Sequence, residues 1–328
     1  MTTTNGHAID TAAVIGMGSV GSGWAALMLA KGLRVRAFDP SPGAAERSKR
    51  LIDGAWPSLV QLGLTADATP PFEAVDFCET VDAAVQGVGV VLENVPENLS
   101  LKHEILSRTD AAAPPTALIL SSAGGIPTSE LQSVCTHPER VVVMHPFNPA
   151  HLIPLVEIVP GKDTAPEATE RAVRFAISLG KHPITLSKET PGHMVNRLQF
   201  ALVREAIRCV IDGVASPHDI DAAVRFGLAP RWLLMGGLHT VALAGGPGGM
   251  RGILDHAGDA MQTWWATEDE FALTEDIKDQ LVSAAEELSG GSDFEDWVSW
   301  RDSQLVALLG LQKDANLMRP GTPEGANL

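Results

Sequence analysis

The chain has 328 residues, 45% of them hydrophobic and 20% charged, enough for about two ordinary domains, and none is tyrosine. Without a phenol, proton transfer falls to His, Lys, Asp, Glu or Cys, and the Tyr-x-x-x-Lys chemistry of short-chain reductases is excluded. Twenty-four basic against forty acidic residues leave a formal charge of −16, which repels phosphate backbones and anionic lipid, so neither nucleic acid nor a membrane is an expected partner.

The opening Met1-Thr2-Thr3-Thr4-Asn5 lacks the charged and apolar regions of a signal peptide. No stretch approaches about 18 uninterrupted apolar residues. Cys78, Cys135 and Cys209 stand too far apart for a Cys-x-x-Cys pair or a zinc knuckle. These features predict a soluble cytoplasmic protein with three reduced thiols in its core and no metal.

Apolar runs predict strands over 12–16, 34–39, 88–95, 117–121, 141–145, 155–159 and 184–186, with helices over 20–31, 44–62, 99–112 and 166–179 between them. That alternation predicts an α/β fold, a Rossmann-type doubly wound and mostly parallel sheet. After Glu189-Thr190-Pro191-Gly192 the strand pattern stops. Val195, Leu198, Leu202, Ala206, Cys209 and Val210 then recur at helical spacing. Two domains are predicted: an α/β domain over 1–189 and an all-α C-terminal domain over 190–328. The acidic side chains crowded between 268 and 296 read as a solvated helical face, and the Pro-, Gly- and Asn-rich 319–328 as a frayed tail.

The first strand runs into Gly16-Met17-Gly18-Ser19-Val20-Gly21, a Gly-x-Gly-x-x-Gly turn that opens a helix. Gly16 permits the tight turn, Gly18 lets a pyrophosphate approach the backbone, and Gly21 allows close packing of helix on strand. Asp39 ends the second strand, where a carboxylate can hold both hydroxyls of an adenosine ribose. It would repel a 2′-phosphate, and Pro40-Ser41 offers no arginine to accept one, so the expected cofactor is NAD.

His145 follows the apolar Val141-Val142-Val143-Met144 and opens Pro146-Phe147-Asn148-Pro149, at the carboxyl end of a strand where ligands of such sheets gather. Glu157 interrupts Leu155-Val156 and Ile158-Val159, a setting in which a lone carboxylate is costly. An imidazole is its natural partner, and a carboxylate-oriented imidazole suits a base near neutral pH. From the residues alone, a catalytic pair and two separate structural residues remain equally open.

These segments resemble the 3-hydroxyacyl-CoA dehydrogenase family. The likeness runs through the glycine turn, Asp39, Pro96-Glu97-Asn98-Leu99 with Lys102, His145-Pro146-Phe147-Asn148-Pro149, Leu155 to Val159, and Gly192 to Leu198 with Asn196. It implies His145 and Glu157 as the catalytic base and Asn196 as the group that positions the substrate oxygen. Glu97 and Lys102 are implied at the nicotinamide side of NAD, with Ser122 and Asn148 also on the cofactor, and a homodimer is implied through the helical domain. Gly227-Leu228-Ala229-Pro230-Arg231-Trp232 is similar to the branch that acts on small free acids such as carnitine and gulonate, the lambda-crystallin group. There Arg231 has a physical use, since its planar fork can grip a substrate carboxylate.

One departure bears on specificity. The family carries a serine 21 residues before its histidine, and Gly124 stands there, within Ser121-Ser122-Ala123-Gly124-Gly125. Ser122 or a water could take over that hydroxyl's bond to the substrate, or the site could be shaped for a bulkier molecule. The leading expectation is NAD-dependent interconversion of a small 3-hydroxy carboxylate and its 3-keto form. The alternatives are a ketoreductase on a larger 3-oxo substrate, a 3-hydroxyacyl-CoA dehydrogenase, and a catalytically weak NAD-binding protein like the lens crystallins.

Overall fold

The computed structural model describes residues 3–4, 7–266, 274–289 and 293–314. It divides into two units, one running to Leu198 and taken up again from Trp300, the other Gln199–Ser299. A two-residue pairing of Thr3–Thr4 with His7–Ala8 precedes the first unit's main sheet.

Eight strands form that sheet: β1 (Thr11–Ile15), β2 (Arg34–Phe38), β3 (Val75–Phe77), β4 (Val90–Glu93), β5 (Leu118–Ser121), β6 (Val141–Pro146), β7 (Leu155–Pro160) and β8 (His182–Thr185). Their spatial order is β8-β7-β6-β5-β4-β1-β2-β3. All pairings from β3 across to β6 are parallel. β7 then runs antiparallel to β6, and β8 parallel to β7. The connection from β6 to β7 is too short for a crossover helix, so the chain must turn back on itself. Within this sheet, β3 is the one strand the apolar pattern does not announce. It has three residues, none of them buried, on the sheet's edge, too short to show a period.

Helices α1 (Ser19–Ala30), α2 (Ala44–Gln61), α3 (Val81–Val85), α4 (Leu99–Ala112), α5 (Thr128–Gln132) and α6 (Pro166–Ser178) fill the crossovers. Trp24 of α1, Trp56 of α2 and Phe175 of α6 pack with Val14, Val35, Leu92 and Val142 in one core. The alternate side chains Ala13, Ile15 and Val91 meet α3 and α4, while Ile119, Val141 and Val143 meet α4 and α5. Coverage of both faces explains why the central strands read as unbroken apolar runs. Cys78, Cys135 and Cys209 are free but only half-buried, which corrects their expected place in the core.

The second unit is helical. It contains most of α7 (Val195–Ile211), then α8 (Pro217–Ala222), α9 (Ala229–Ala244), α10 (Gly249–Ala266) and α11 (Glu275–Ser289), and the first residues of α12 (Phe294–Asp314). Ser216 caps α8 by accepting from the Asp219 N–H, with Pro217 at the first helical position. Gly236, at φ +75°, kinks α9. Among its described residues none is buried, and Phe226 and Leu238 are 75% and 80% exposed. The segment 319–328 lies outside the described residues, as does much of the acidic stretch. No described helix is long and apolar enough to cross a membrane.

Candidate active site

At the end of β1 the backbone itself demands glycine. Gly16 sits at φ +88°, and a Cβ on Gly21 would lie 1.9 Å from the Gly16 carbonyl oxygen, a distance no side chain can occupy. Around Gly18 a Cβ would meet nothing within 4 Å, which leaves the approach to the backbone open. Gly18 also begins α1 with no side-chain cap, so the first N–H groups of the helix and its positive dipole end are left for an anion. Asp39 Oδ2 accepts the Met17 N–H at 2.8 Å, and Oδ1 the Ser41 N–H at 2.9 Å. Burial raises the Asp39 pKa, but hydrogen bonds from Ser41 and Met17, with Arg47 nearby, outweigh it and hold the carboxyl below its ordinary value. Among the turn residues, Met17 is buried, Gly18 and Ser19 are exposed and Val20 is half-buried. An open turn, an uncapped helix start and an ionised carboxylate on the neighbouring strand fit a dinucleotide.

The second cluster is built on the reversal between β6 and β7. His145 and Glu157 are direct cross-strand partners in the antiparallel register, so both side chains leave the same face of the sheet. His145 Nδ1 lies 2.8 Å from Glu157 Oε2. The other carboxylate oxygen accepts the Met194 and Val195 N–H groups, both at 2.9 Å, at the positive end of α7. Burial pushes the Glu157 pKa up; the His145 hydrogen bond and the two backbone donors more than reverse this and hold it low. One fully buried carboxylate therefore orients His145 and anchors the helix start that carries Asn196.

Asn196 donates from Nδ2 to the Gly124 carbonyl at 2.8 Å. A Cβ on Gly124 would stand 3.3 Å from His145 Nε2 and 3.6 Å from Asn196 Nδ2. The position of the family serine thus opens directly onto the two polar side chains the resemblance points to. The Ser122 hydroxyl donates to Asn94 Oδ1 at 2.7 Å, so its proton is directed to Asn94 rather than to the space beside Gly124.

Glu97 and Lys102 make different contacts. Glu97 Oε1 accepts the N–H groups of Gly124, Gly125 and Ile126 at 3.1, 3.0 and 3.3 Å, so it holds the loop that passes over His145. Lys102, expected beside the cofactor, is 1% exposed. Its Nζ donates to both Glu93 oxygens, at 2.9 and 3.2 Å, and to the Val95 carbonyl, with Glu97 farther off at 3.7 Å. That pairing has a physical reason: Glu93 ends β4 fully buried, and a buried carboxylate requires a counter-charge. Ser121 completes this set by donating to Glu93 Oε2 at 2.5 Å.

Glu93 and His193 are the polar residues that sequence reasoning missed. Glu93 carried a signal, as an acidic residue inside the apolar run 88–95; His193 carried none. Asn148 is exposed on the loop after β6, where Phe147 meets the His145 ring edge-on at 4.7 Å. Arg231 belongs to the second unit. It is exposed on α9, and its Nε donates to the Gly227 carbonyl at 3.1 Å.

Residues 11–190 match the model for the 3-hydroxyacyl-CoA dehydrogenase NAD binding domain, and 192–285 the one for the same family's C-terminal domain. L-carnitine dehydrogenase of Streptomyces griseus is 43% identical over 90% of this chain and 88% of its own length. The enzyme of the same name from Pseudomonas putida is 41% identical over 94% and 95%. Among solved structures, 5-formyl-3-hydroxy-2-methylpyridine 4-carboxylic acid 5-dehydrogenase, described as an NAD⁺-dependent dismutase, superposes with a TM-score of 0.77 at 29% identity over 93% of this chain and 98% of that one. (S)-3-Hydroxybutyryl-CoA dehydrogenase from Ralstonia eutropha gives 0.62 at 26% identity over 79% and 89%. The chain belongs to the 3-hydroxyacyl-CoA dehydrogenase family and is an NAD-dependent dehydrogenase acting on a CH–OH group.

Proposed function

We propose that the substrate is a small free 3-hydroxy carboxylate of the carnitine or gulonate type, oxidised to its 3-keto form with His145 as the base. The observation that carries this is the hydrogen-bonded His145–Glu157 pair, facing Asn196 across the space above Gly124. Bound NAD would supply the hydride acceptor. With Nδ1 held by Glu157, His145 presents Nε2 to the substrate hydroxyl and takes its proton. Glu157, kept ionised by its hydrogen bonds with His145 and the two backbone donors, stabilises the resulting imidazolium. Asn196 directs one Nδ2 hydrogen to Gly124 and has a second for the reacting oxygen. Arg231 is assigned to the substrate carboxylate on the likeness to the carnitine enzymes and the bidentate chemistry of guanidinium.

A second reading, reduction of a larger 3-oxo substrate, is favoured by one observation: the side-chain-free position 124 beside His145. NADH production across a panel of 3-hydroxy acids and their CoA thioesters, with reduction of bulkier 3-oxo compounds, separates the two. The expected outcome is highest kcat/KM for a free 3-hydroxy acid, with kcat lowered about 10²- to 10⁴-fold in His145→Ala. Silence across the panel despite tight NADH binding would overturn it in favour of a catalytically weak binding protein. We further infer that the second unit pairs with a second copy of the chain, because its described helices bury no residue of their own and expose Phe226, Leu234, Leu238 and Leu243. Sedimentation at micromolar concentration should give a homodimer; a monomer would contradict it.

A further inference from the structure

We propose that His193 is a positioning residue for this reaction: its imidazole clamps the Gly124–Gly125 loop onto the start of α7 and so sets the relation between His145 and Asn196. The role rests on the reading of His145 as the base.

His193 lies two residues before α7 and is fully buried. It is the only non-glycine residue with a positive φ among the described residues, at +51°, a conformation kept where the surroundings enforce it. Its Nε2 is 3.0 Å from the Ala123 carbonyl oxygen. A carbonyl only accepts, so Nε2 carries the proton. Burial lowers the pKa of this imidazole, with His145 of β6 acting in the same sense; the bond to Ala123 and the charges of Glu157 on β7 and Glu97 oppose the shift without cancelling it. The neutral Nε2–H ring leaves Nδ1 with no hydrogen-bond partner among the described residues. An imidazole held there only for packing would be worse than an apolar ring, because a buried acceptor without a partner is costly.

The bond it makes has a specific place. Ala123 and Gly124 present consecutive carbonyls, the first taken by His193 and the second by Asn196. On the amide side of the same loop, Glu97 takes three successive N–H groups. Two adjacent glycines have no Cβ to restrict them, and these two sets of bonds supply the missing restraint. The His193 ring also stands 5.5 Å from that of His145, centroid to centroid, so loop, base and helix start share one contact.

The test compares His193→Phe with His193→Gln in the full chain, on the 3-hydroxy acid turned over best, with His145→Asn alongside. Phe keeps the ring and removes the donor, whereas Gln can still donate to the Ala123 carbonyl. Misplacement of this kind predicts kcat lowered about 10- to 100-fold in His193→Phe, with NADH Kd within about threefold, and most of kcat recovered in His193→Gln. Two-bond proton–nitrogen spectra of the wild-type histidine rings near neutral pH should show the signal lost in His193→Gln as the neutral Nε2–H tautomer. Full kcat in the Phe variant, a Gln variant no better than Phe, or an Nδ1–H signal each overturns the role. If His145→Asn keeps its turnover, the base assignment is what fails, and His193 loses its role with it. If His145→Asn is inactive while His193→Phe is fully active, the base stands and only the role of His193 falls.

Discussion

Two glycine-bearing turns sit at carboxyl ends of parallel strands, Gly16 to Gly21 after β1 and Gly124-Gly125 after β5, and they are glycine for opposite reasons. In the first the backbone forbids a side chain at Gly16 and Gly21, because Gly16 is left-handed and a Cβ on Gly21 would lie 1.9 Å from the Gly16 carbonyl oxygen. In the second no positive φ is involved, and the nearest atoms to a Cβ on Gly124 are side-chain atoms of His145 and Asn196. The first turn is dictated by how a helix must leave a strand to receive a pyrophosphate. The second is a choice about how much space stands beside the proposed base.

Substitution sharpens this contrast. Gly21→Ala should have the largest effect, since Cβ and the Gly16 oxygen cannot coexist: NADH affinity falls at least about 100-fold, or the protein loses roughly 1–3 kcal/mol of stability, read by cofactor titration and thermal melting. Near-normal NADH binding in that variant would break the comparison. Gly124→Ala should leave the melting temperature nearly unchanged and lower kcat roughly tenfold, because at 3.3 Å the His145 ring must give way by a few tenths of an ångström. Gly124→Ser has the same Cβ and adds a hydroxyl. Higher kcat in Ser than in Ala would show that the reacting oxygen gains from the donor this chain lacks, and equal rates would show that position 124 acts through space alone.

The smallest expected effect separates the turns by pH. The first is braced by Asp39 and the second, through α7, by Glu157, both held below their ordinary carboxylate values. Their contributions are present above the unfolded values of 3.8 and 4.5 and are lost as pH falls through the lower folded ones. His193 acts earlier. Its folded pKa lies below 6.5, so the unfolded chain takes up the proton first and stability begins to fall as pH drops below about 6.5. Thermal melts from neutral to acid pH should show a shallower early decline in His193→Gln than in the wild type, and identical profiles would remove His193 from that window.

The readings that held were those enforced locally. The alternation of apolar runs and helices, the strand-to-helix turn at Gly16 to Gly21, and the end of strand signals at Pro191-Gly192 all rest on periodicity and backbone sterics, which operate over a few residues. Three residues of β3 could not show a period, and the cysteines read as core are half-buried. Lys102 was legible as a residue in a motif, but not as the partner of Glu93, because that pairing follows from two buried charges meeting across an α/β layer.

By itself, the sequence determined that this is a doubly wound sheet with a dinucleotide turn, that proton transfer cannot use tyrosine, and that position 124 has no hydroxyl. Only the tertiary structure decided what surrounds that position. The short reversal from β6 to β7 makes Glu157 the cross-strand partner of His145. The same carboxylate brings in the start of α7, and with it Asn196 and His193. Steric rules are written in adjacent residues, whereas a hydrogen bond between residues 123 and 193 exists only once the chain has folded back on itself.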